Sequence, residues 1–520
     1  MLRKNKAEIF LPKRTLFMLN LAVRNTAKLV REKSKLENVR LGRLFTKKNT
    51  ARIMASSFSI DKEKSSYTLL DPGAGTGILT AAVIERICKE APACKQIFAT
   101  CYENNPEFAD MLEDNLERIR KKCRHDYDVR LFVSVYRENY LTESKNHYTV
   151  TFFDTVPDKY DLIICSPPSE LYEKDSEEAL TTGGVTQLKV GAQYLFLSQA
   201  SKHLEESGEL VIILPTSYAS AASLAPLRLE LSKSLVIKSL HLFVGKQKNL
   251  KRATPLKKNF IISYTNAENV DEVAVSTSTD GGEEVTKLPS LAYGFVFDSF
   301  SGAITLPKSV EDTKIVEHIS RLPETLSSLG LKMSTGLIID SKCQGMIFSE
   351  EREGTVPLIR QNAIKNGVIA FPSKIPGQYL APLKSALMQR NKNLIIIKRI
   401  PAKSDSRFIN SAIYLAAQLP SHKYISTHNK VNFIDTVNRD AEMCPRLVFG
   451  LFALLNSTIY DRYLSIVSKS KQINAKEFKS LPLPPRNIIE NIGIRLMSLR
   501  QTSVKACDQI VNPALHIIEK

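Results

Sequence analysis

LLDPGAGTG, residues 69 to 77, reads as the end of a strand running into a glycine turn. Gly73, Gly75 and Gly77 can take dihedrals closed to other residues and let the backbone approach a ligand with no Cβ between. After them Leu79, Val83 and Ile87 share one face of a helix. Working outward, a strand ends at Tyr102, a helix covers Pro106 to Lys121, and strands follow at Val129 to Val135 and Leu162 to Cys165. A helix at Ala192 to Leu204, a strand at Glu209 to Leu214, a helix near Leu224 to Ser234 and strands near Ser239 to Phe243 and Phe260 to Tyr264 continue the alternation. Such order predicts an α/β fold whose doubly wound, mostly parallel sheet carries helices on both faces. Upstream, Leu16, Leu19, Val23 and Leu29 give Phe10 to Leu36 helical spacing, and this helix is expected to pack on the domain that follows.

Between Asn266 and Ser290 the chain turns acidic and rich in Ser, Thr and Gly, which marks a boundary. Beyond it, short β-rich runs (Leu394 to Lys398, Val431 to Ile434) mix with a helical stretch at Arg446 to Leu464 and a proline-ended SLPLPP. The expected organisation is therefore an N-terminal helical segment (1–40), an α/β domain (41–275) and a mixed α+β domain (291–520). With 520 residues and 43% hydrophobic content there is ample material for two cores. The longest apolar run, around Leu447 to Leu455, is far short of the roughly 20 residues that span a bilayer. Met1 to Arg14 is charged throughout, unlike a secretory signal, so a cytoplasmic protein is expected. Eight cysteines without a CxxC pair and eight unclustered histidines indicate neither a disulfide framework nor a metal site. The formal charge of +18, from 72 Lys plus Arg against 54 Asp plus Glu, favours a polyanionic partner. Met1 to Thr50 holds 14 basic and three acidic residues. The stretch Lys246 to Lys258 holds six basic residues (Lys246, Lys248, Lys251, Arg252, Lys257, Lys258) and no acidic one, either a phosphate-facing loop or a solvated surface.

In an open parallel sheet, ligands sit outside the carboxyl ends of the strands where the strand order reverses. Asp71, at such an end, can accept from an ammonium group. Glu103 in CYENNPEF ends the next strand and can accept from both hydroxyls of a ribose. These residues predict a nucleotide-type cofactor; a fold that binds NAD, or none, is the alternative.

YDLIICSPPS, residues 160 to 169, supplies different chemistry. An exocyclic amino group on a nucleobase is a poor nucleophile because its lone pair is delocalised into the ring. Two acceptors aimed at its two N–H bonds favour a pyramidal nitrogen, which is catalysis by positioning and preorganised electrostatics. Pro167 and Pro168 have no N–H to compete and a fixed φ, so a carbonyl is presented rigidly. Ser166 would be the side-chain acceptor.

Taken with the order of these motifs, the chain resembles the N6-adenine DNA methyltransferases of type II restriction-modification systems. The branch is the one in which cofactor motifs come first, the catalytic motif second and a target-recognition domain last. LGRLFTKKNTARIMASSF, residues 41 to 58, is similar to that family's N-terminal cofactor segment, where Thr46 would contact the methionine end of S-adenosylmethionine. Asp71 to Gly77 matches the glycine loop and Glu103 the ribose-binding acid. Glu138-Asn139-Tyr140 matches the adenine-binding position, with Asn139 where an aspartate is usual. Residues 454 to 485 are similar to the end of the recognition domain, and Asn474 falls within them. The resemblance implies a Rossmann-like SAM-dependent methyltransferase domain, S-adenosylmethionine as cofactor, no metal and no membrane. It also implies a double-stranded DNA substrate with an everted base, and a restriction endonuclease partner on a separate chain.

The catalytic tetrapeptide departs from the family's Asn-Pro-Pro-(Tyr/Phe): here it is Ser166-Pro167-Pro168-Ser169. Ser-Pro-Pro characterises the related N4-cytosine enzymes, which keeps cytosine open as a target. Ser169 lacks the aromatic that would stack on the base, a contact worth roughly 1 to 3 kcal/mol. Tyr172, or Phe260 on the strand after the basic loop, could substitute, and a core role for Phe260 is the alternative. A degenerate methylase that binds DNA without turnover is the rival from another class. Lys398, Arg399, Lys403, Arg407, His428, Asn429 and Lys430 are candidate DNA contacts in the C-terminal region, or ordinary surface.

Overall fold

The computed structural model describes residues 17–32, 45–143, 159–180, 189–245, 258–267, 269–279, 284–372, 376–400, 407–468, 473 and 475–516. The chain divides into two compact units, Met1–Ala303 and Ile304–Lys520.

As far as Ala292 the strands of the first unit are β1 (Ser66–Asp71), β2 (Gln96–Tyr102), β3 (Arg130–Tyr136), β4 (Tyr160–Cys165), β5 (Leu171–Glu173), β6 (Lys189–Gly191), β7 (Leu204–Pro215), β8 (Val236–Val244), β9 (Asn259–Thr265), β10 (Glu272–Thr279) and β11 (Val285–Ala292). All but the β5/β6 hairpin join one sheet in the order β11-β10-β8-β9-β7-β4-β1-β2-β3. Pairings from β3 through β7 are parallel, whereas β9 runs antiparallel to both β7 and β8. Strand order reverses between β1 and β4, so a crevice opens beside their carboxyl ends.

Both faces of the central strands are apolar, which is why LL, LIIC and LVIIL read as unbroken runs. Leu69, Leu162, Ile164 and Val211 share a core with Leu79, Val83 and Ile87 of helix Ile78–Glu90 and Leu112 and Leu116 of helix Pro106–Tyr127. The intervening Leu70, Ile163, Leu210 and Ile212 are equally buried, and by the period of two they face the other layer. Within residues 1–40, the described helix is Phe17–Arg31, whose Met18, Leu19 and Ala22 enter that first core.

The acidic, Ser/Thr-rich stretch read as a boundary contains, among the described residues, the strands β10 and β11. Val273, Val275 and Thr277 are buried while Glu272 and Ala274 are exposed, a period of two that composition concealed. The serines are satisfied inside the sheet: Ser276 and Ser278 hydroxyls lie 2.8 and 2.9 Å from the two ring nitrogens of His241 on β8. Burial pushes that imidazole down to about 4, so it is neutral at physiological pH. The sheet consequently runs on past residue 275 to Ala292.

Gly77 closes the turn after β1 with φ +83°, and a Cβ there would stand 2.8 Å from Leu112 Cδ1. Left-handed backbone costs an L-residue about 1 to 2 kcal/mol, and overpacking a core adds about 1 to 3. Gly77→Ala should therefore lower unfolding free energy by about 2 to 4 kcal/mol in urea titration; an unchanged midpoint would disprove the packing.

The second unit holds a six-stranded sheet that includes Leu394–Lys398 and Val431–Thr436, as the β-rich runs predict, and a five-stranded sheet of shorter strands. Arg446 to Leu464 resolves into two helices, Pro445–Asn456 and Thr458–Val467. The first packs closely on helix Arg486–Leu499: a Cβ on Gly450 would meet Ile489 O at 1.9 Å and one on Gly493 would meet Arg446 O at 1.8 Å. Among the described residues no helix is long and apolar enough to cross a membrane.

Candidate functional site at the ends of β1, β2 and β4

Asp71 ends β1 and is fully buried. Its Oδ2 accepts from the Thr80 hydroxyl at 2.7 Å, while Oδ1 has no partner among the described residues. Burial pushes the carboxyl up to about 7 despite the Thr80 bond. A buried oxygen whose lone pairs meet no donor costs free energy until one arrives, so this atom suits an ammonium group.

Glu103, one residue past β2, is fixed by two backbone amides: Gly75 N–H donates to Oε2 at 2.9 Å and Asn105 N–H to Oε1 at 2.8 Å. Asn105 also caps helix Pro106–Tyr127, accepting from Glu107 and Phe108 amides at 3.1 and 3.2 Å, with Pro106 in the first turn. Half-burial raises the Glu103 carboxyl, yet each oxygen keeps lone pairs for a vicinal diol.

The glycine turn joins these acids. Gly75 has φ +56°, and a Cβ on it would lie 3.7 Å from the Phe45 ring, which packs edge-on to Phe108 at 5.0 Å. Half-buried Thr46 follows Phe45. A Cβ on Gly73 would sit 3.5 Å from Phe196, so the turn is lined by rings on two sides. Asn139 Oδ1 accepts from the Leu141 amide at 3.1 Å, and its Nδ2 donates to Glu178 at 3.2 Å. Tyr140 is buried with its ring 5.1 Å from Tyr102, the last residue of β2. Asp71, Gly73, Gly75, Gly77, Glu103 and the segment carrying Thr46 thus meet around one turn, which fits a nucleoside-bearing cofactor with an amino-acid tail.

Ser166, Pro167 and Pro168 are half-buried and Ser169 is exposed. They leave β4, which pairs with β1 through Leu69↔Leu162 and Leu70↔Ile163, so the two motifs emerge side by side. Burial and the neighbouring Asp71 carboxylate both push up the thiol of Cys165, the last residue of β4. Ser169 is followed by the β5/β6 hairpin, which carries half-buried Tyr172 opposite Val190.

Phe260 corrects the expectation of a second stacking ring. It is 0% exposed on β9, paired with Leu214 on one side and Leu242 on the other, and its ring belongs to the core. Of the basic loop only Lys258 is described; it is exposed, at the carboxyl edge where β8 leaves and β9 returns. Lys246, Lys248, Lys251, Arg252, Lys257, Lys403 and Asn474 lie outside the described residues. In the second unit His428 is buried and 3.1 Å from Asp340, and Arg407 bonds Ser457 O and lies 3.7 Å from Asp461, so both are internal. Lys430 is exposed and Asn429 half-buried. Among the described residues no cluster of three or more His, Cys, Asp or Glu is arranged to hold a metal.

Residue-by-residue reading missed Thr76, Thr80, Phe45, Phe108 and Asn115. Thr80 had a usable signal, since it lies nine residues after Asp71 in the first turns of the helix that the glycines open.

The glycine turn lies at the switch point of a doubly wound α/β sheet in which β9 and β11 run against the other strands. Over most of its length the chain is similar to type II methyltransferases. It is 24% identical over 498 residues to type II methyltransferase M.PstI of Providencia stuartii, covering 92% of this chain and 94% of the relative. It is likewise 24% identical over 470 residues to M.BsuBI of Bacillus subtilis, covering 87% and 89%. Among solved structures, the type IIL restriction-modification enzyme MmeI in complex with DNA aligns with a TM-score of 0.44 at 12% identity, over 96% of this chain and 74% of that one. No protein-family model matches the chain.

Proposed function

We propose that the protein is a site-specific DNA methyltransferase that moves a methyl group from S-adenosylmethionine to adenine N6 in duplex DNA. In the cell it would be the modification component of a restriction-modification system, protecting sites from an endonuclease on a separate chain. The observation that carries this reading is the emergence of Ser166-Pro167-Pro168 from the strand paired with the one that ends in Asp71.

S-adenosylmethionine, when bound, supplies an electrophilic methyl group on a sulfonium. Asp71 Oδ1 takes the ammonium, Glu103 the ribose hydroxyls, and Thr46, Asn139 and Tyr140 complete the cofactor's surroundings. The Ser166 hydroxyl and the Pro167 carbonyl accept the two N–H bonds of the everted base, holding its nitrogen pyramidal and in line. Pro168 keeps the backbone rigid. Tyr172 provides the ring face that Ser169 does not. Lys258 and the basic loop before it contact phosphates, with Asn474 and Lys430 at the DNA in the second unit.

Ser166 also favours a second reading, transfer to cytosine N4. Incubation with labelled S-adenosylmethionine and mixed-sequence duplex DNA, followed by nucleoside analysis, separates the two. N6-methyladenine is the expected product. N4-methylcytosine alone would overturn the choice of base, and no incorporation would leave a DNA-binding protein without turnover.

A further inference from the structure

Thr76, between Gly75 and Gly77, is 1% exposed, and its hydroxyl lies 2.5 Å from that of Thr26 on helix Phe17–Arg31. Thr26 has one proton and gives it to the Ala22 carbonyl at 2.7 Å, so Thr76 is the donor of the pair. The Thr76 carbonyl in turn accepts from Asn115 Nδ2 at 2.8 Å, and Asn115 Oδ1 accepts from Asn25 Nδ2 at 2.6 Å. Asn115 is fully buried and Thr26 is 4% exposed. The same helix is tied at its first turn, where the Leu19 amide donates to Glu85 Oε2 at 2.9 Å.

The helix is not held by the apolar contacts of Met18, Leu19 and Ala22 alone. Thr26 directly and Asn25 through Asn115 converge on one residue of the turn. Leaving any of these groups unsatisfied costs about 1 to 3 kcal/mol, so the network favours one orientation of the Thr76 peptide. That orientation bears on the cofactor site, because the adjoining residue, Gly75, donates to Glu103.

We propose that helix Phe17–Arg31 positions the cofactor turn, with Thr26, Asn25 and Asn115 as positioning residues that act through Thr76 on Gly75 and Glu103. The role of the turn rests on the S-adenosylmethionine reading above; the brace itself does not. The test uses the full chain with Thr26→Val, which keeps shape but removes the acceptor, Thr26→Ser as rescue, and Asn25→Ala at a half-buried position should the valine variant fold poorly. Two readouts are taken: amide hydrogen exchange without ligand, and S-adenosylmethionine affinity by calorimetry.

Loss of one buried hydrogen bond should speed exchange at Gly77, whose amide bonds Ala74 O, by about five- to tenfold, and leave β4 and β7 unchanged. Affinity should fall by about the same factor, and Thr26→Ser should restore both. Parental exchange at the turn, or an acceleration spread evenly over the whole unit, would overturn the brace. Localised exchange with unaltered affinity would overturn its role in cofactor binding. A parent chain that binds no S-adenosylmethionine would sink the functional reading, while the exchange result would still decide whether the helix holds the turn.

Discussion

Asp71→Asn is expected to weaken S-adenosylmethionine binding at least a hundredfold and, in the same protein, to raise stability at neutral and alkaline pH. Both expectations come from one fully buried carboxyl, pushed up to about 7 by its surroundings. Its folded-state value lies above the unfolded one, so the contribution to stability is complete below about pH 4 and is lost as pH rises through 7. At 1.36 kcal/mol per pH unit the loss approaches about 4 kcal/mol as a ceiling. Asparagine keeps an acceptor for Thr80 and never ionises, so the variant should exceed the parent by about 1 to 3 kcal/mol in urea titration at pH 8. The two should converge near pH 4. Binding moves the other way. An ammonium requires the ionised form, so parental affinity should climb as pH passes 7 and fall again above about 8, where an α-amino group gives up its proton. Losing a buried charge partner costs about 3 to 5 kcal/mol, so the variant's affinity should drop at least a hundredfold. Calorimetry at pH 6, 7 and 8 decides the matter: a flat parental profile, or an unimpaired variant, would remove Asp71 from the ligand site.

That carboxyl, the glycines and Glu103 could be named from sequence because a strand, a tight turn and the end of the next strand are adjacent both in sequence and in space. The same locality made the alternation from β1 to β9 readable. Where structure depends on distant partners, composition misleads. Residues 272–279 fall in a stretch whose composition reads as a boundary, yet they pair with β8, whose His241 takes the Ser276 and Ser278 hydroxyls. Phe260 reads equally well as a base-stacking ring or as core, and only its pairing with Leu214 and Leu242 settles where it lies. Thr26 and Asn115 carry no motif at all. Their part arises because two helices far apart in sequence meet at Thr76. The short strands of the second unit were invisible for a related reason: many are two residues long and have no period to detect.

Ser166→Ala should cut the rate constant for methyl transfer by about a hundred- to a thousandfold, the usual cost of removing one preorganised hydrogen-bond partner of a reacting group. The electronic argument makes the effect large. With one acceptor left, a single N–H of the base is engaged and the nitrogen lone pair relaxes back into the ring. Ser166 is half-buried just beyond the end of β4 and outside the bonds that fix Asp71 and Glu103. The alanine variant should therefore retain parental urea stability and parental affinity for S-adenosylmethionine, which separates a lost acceptor from a damaged fold. Single-turnover measurement on a DNA site already mapped gives the rate directly. Ser166→Asn provides the complementary case, because a side-chain amide oxygen again offers an acceptor and should keep transfer to adenine. An alanine variant within about threefold of the parent would mean that the hydroxyl accepts nothing and that the Pro167 carbonyl acts with some other group. Ser169→Tyr then distinguishes a weak stack from a dead site. If Tyr172 already supplies the ring, the added tyrosine changes the rate little; if nothing does, occupancy of the everted base should rise about ten- to a hundredfold.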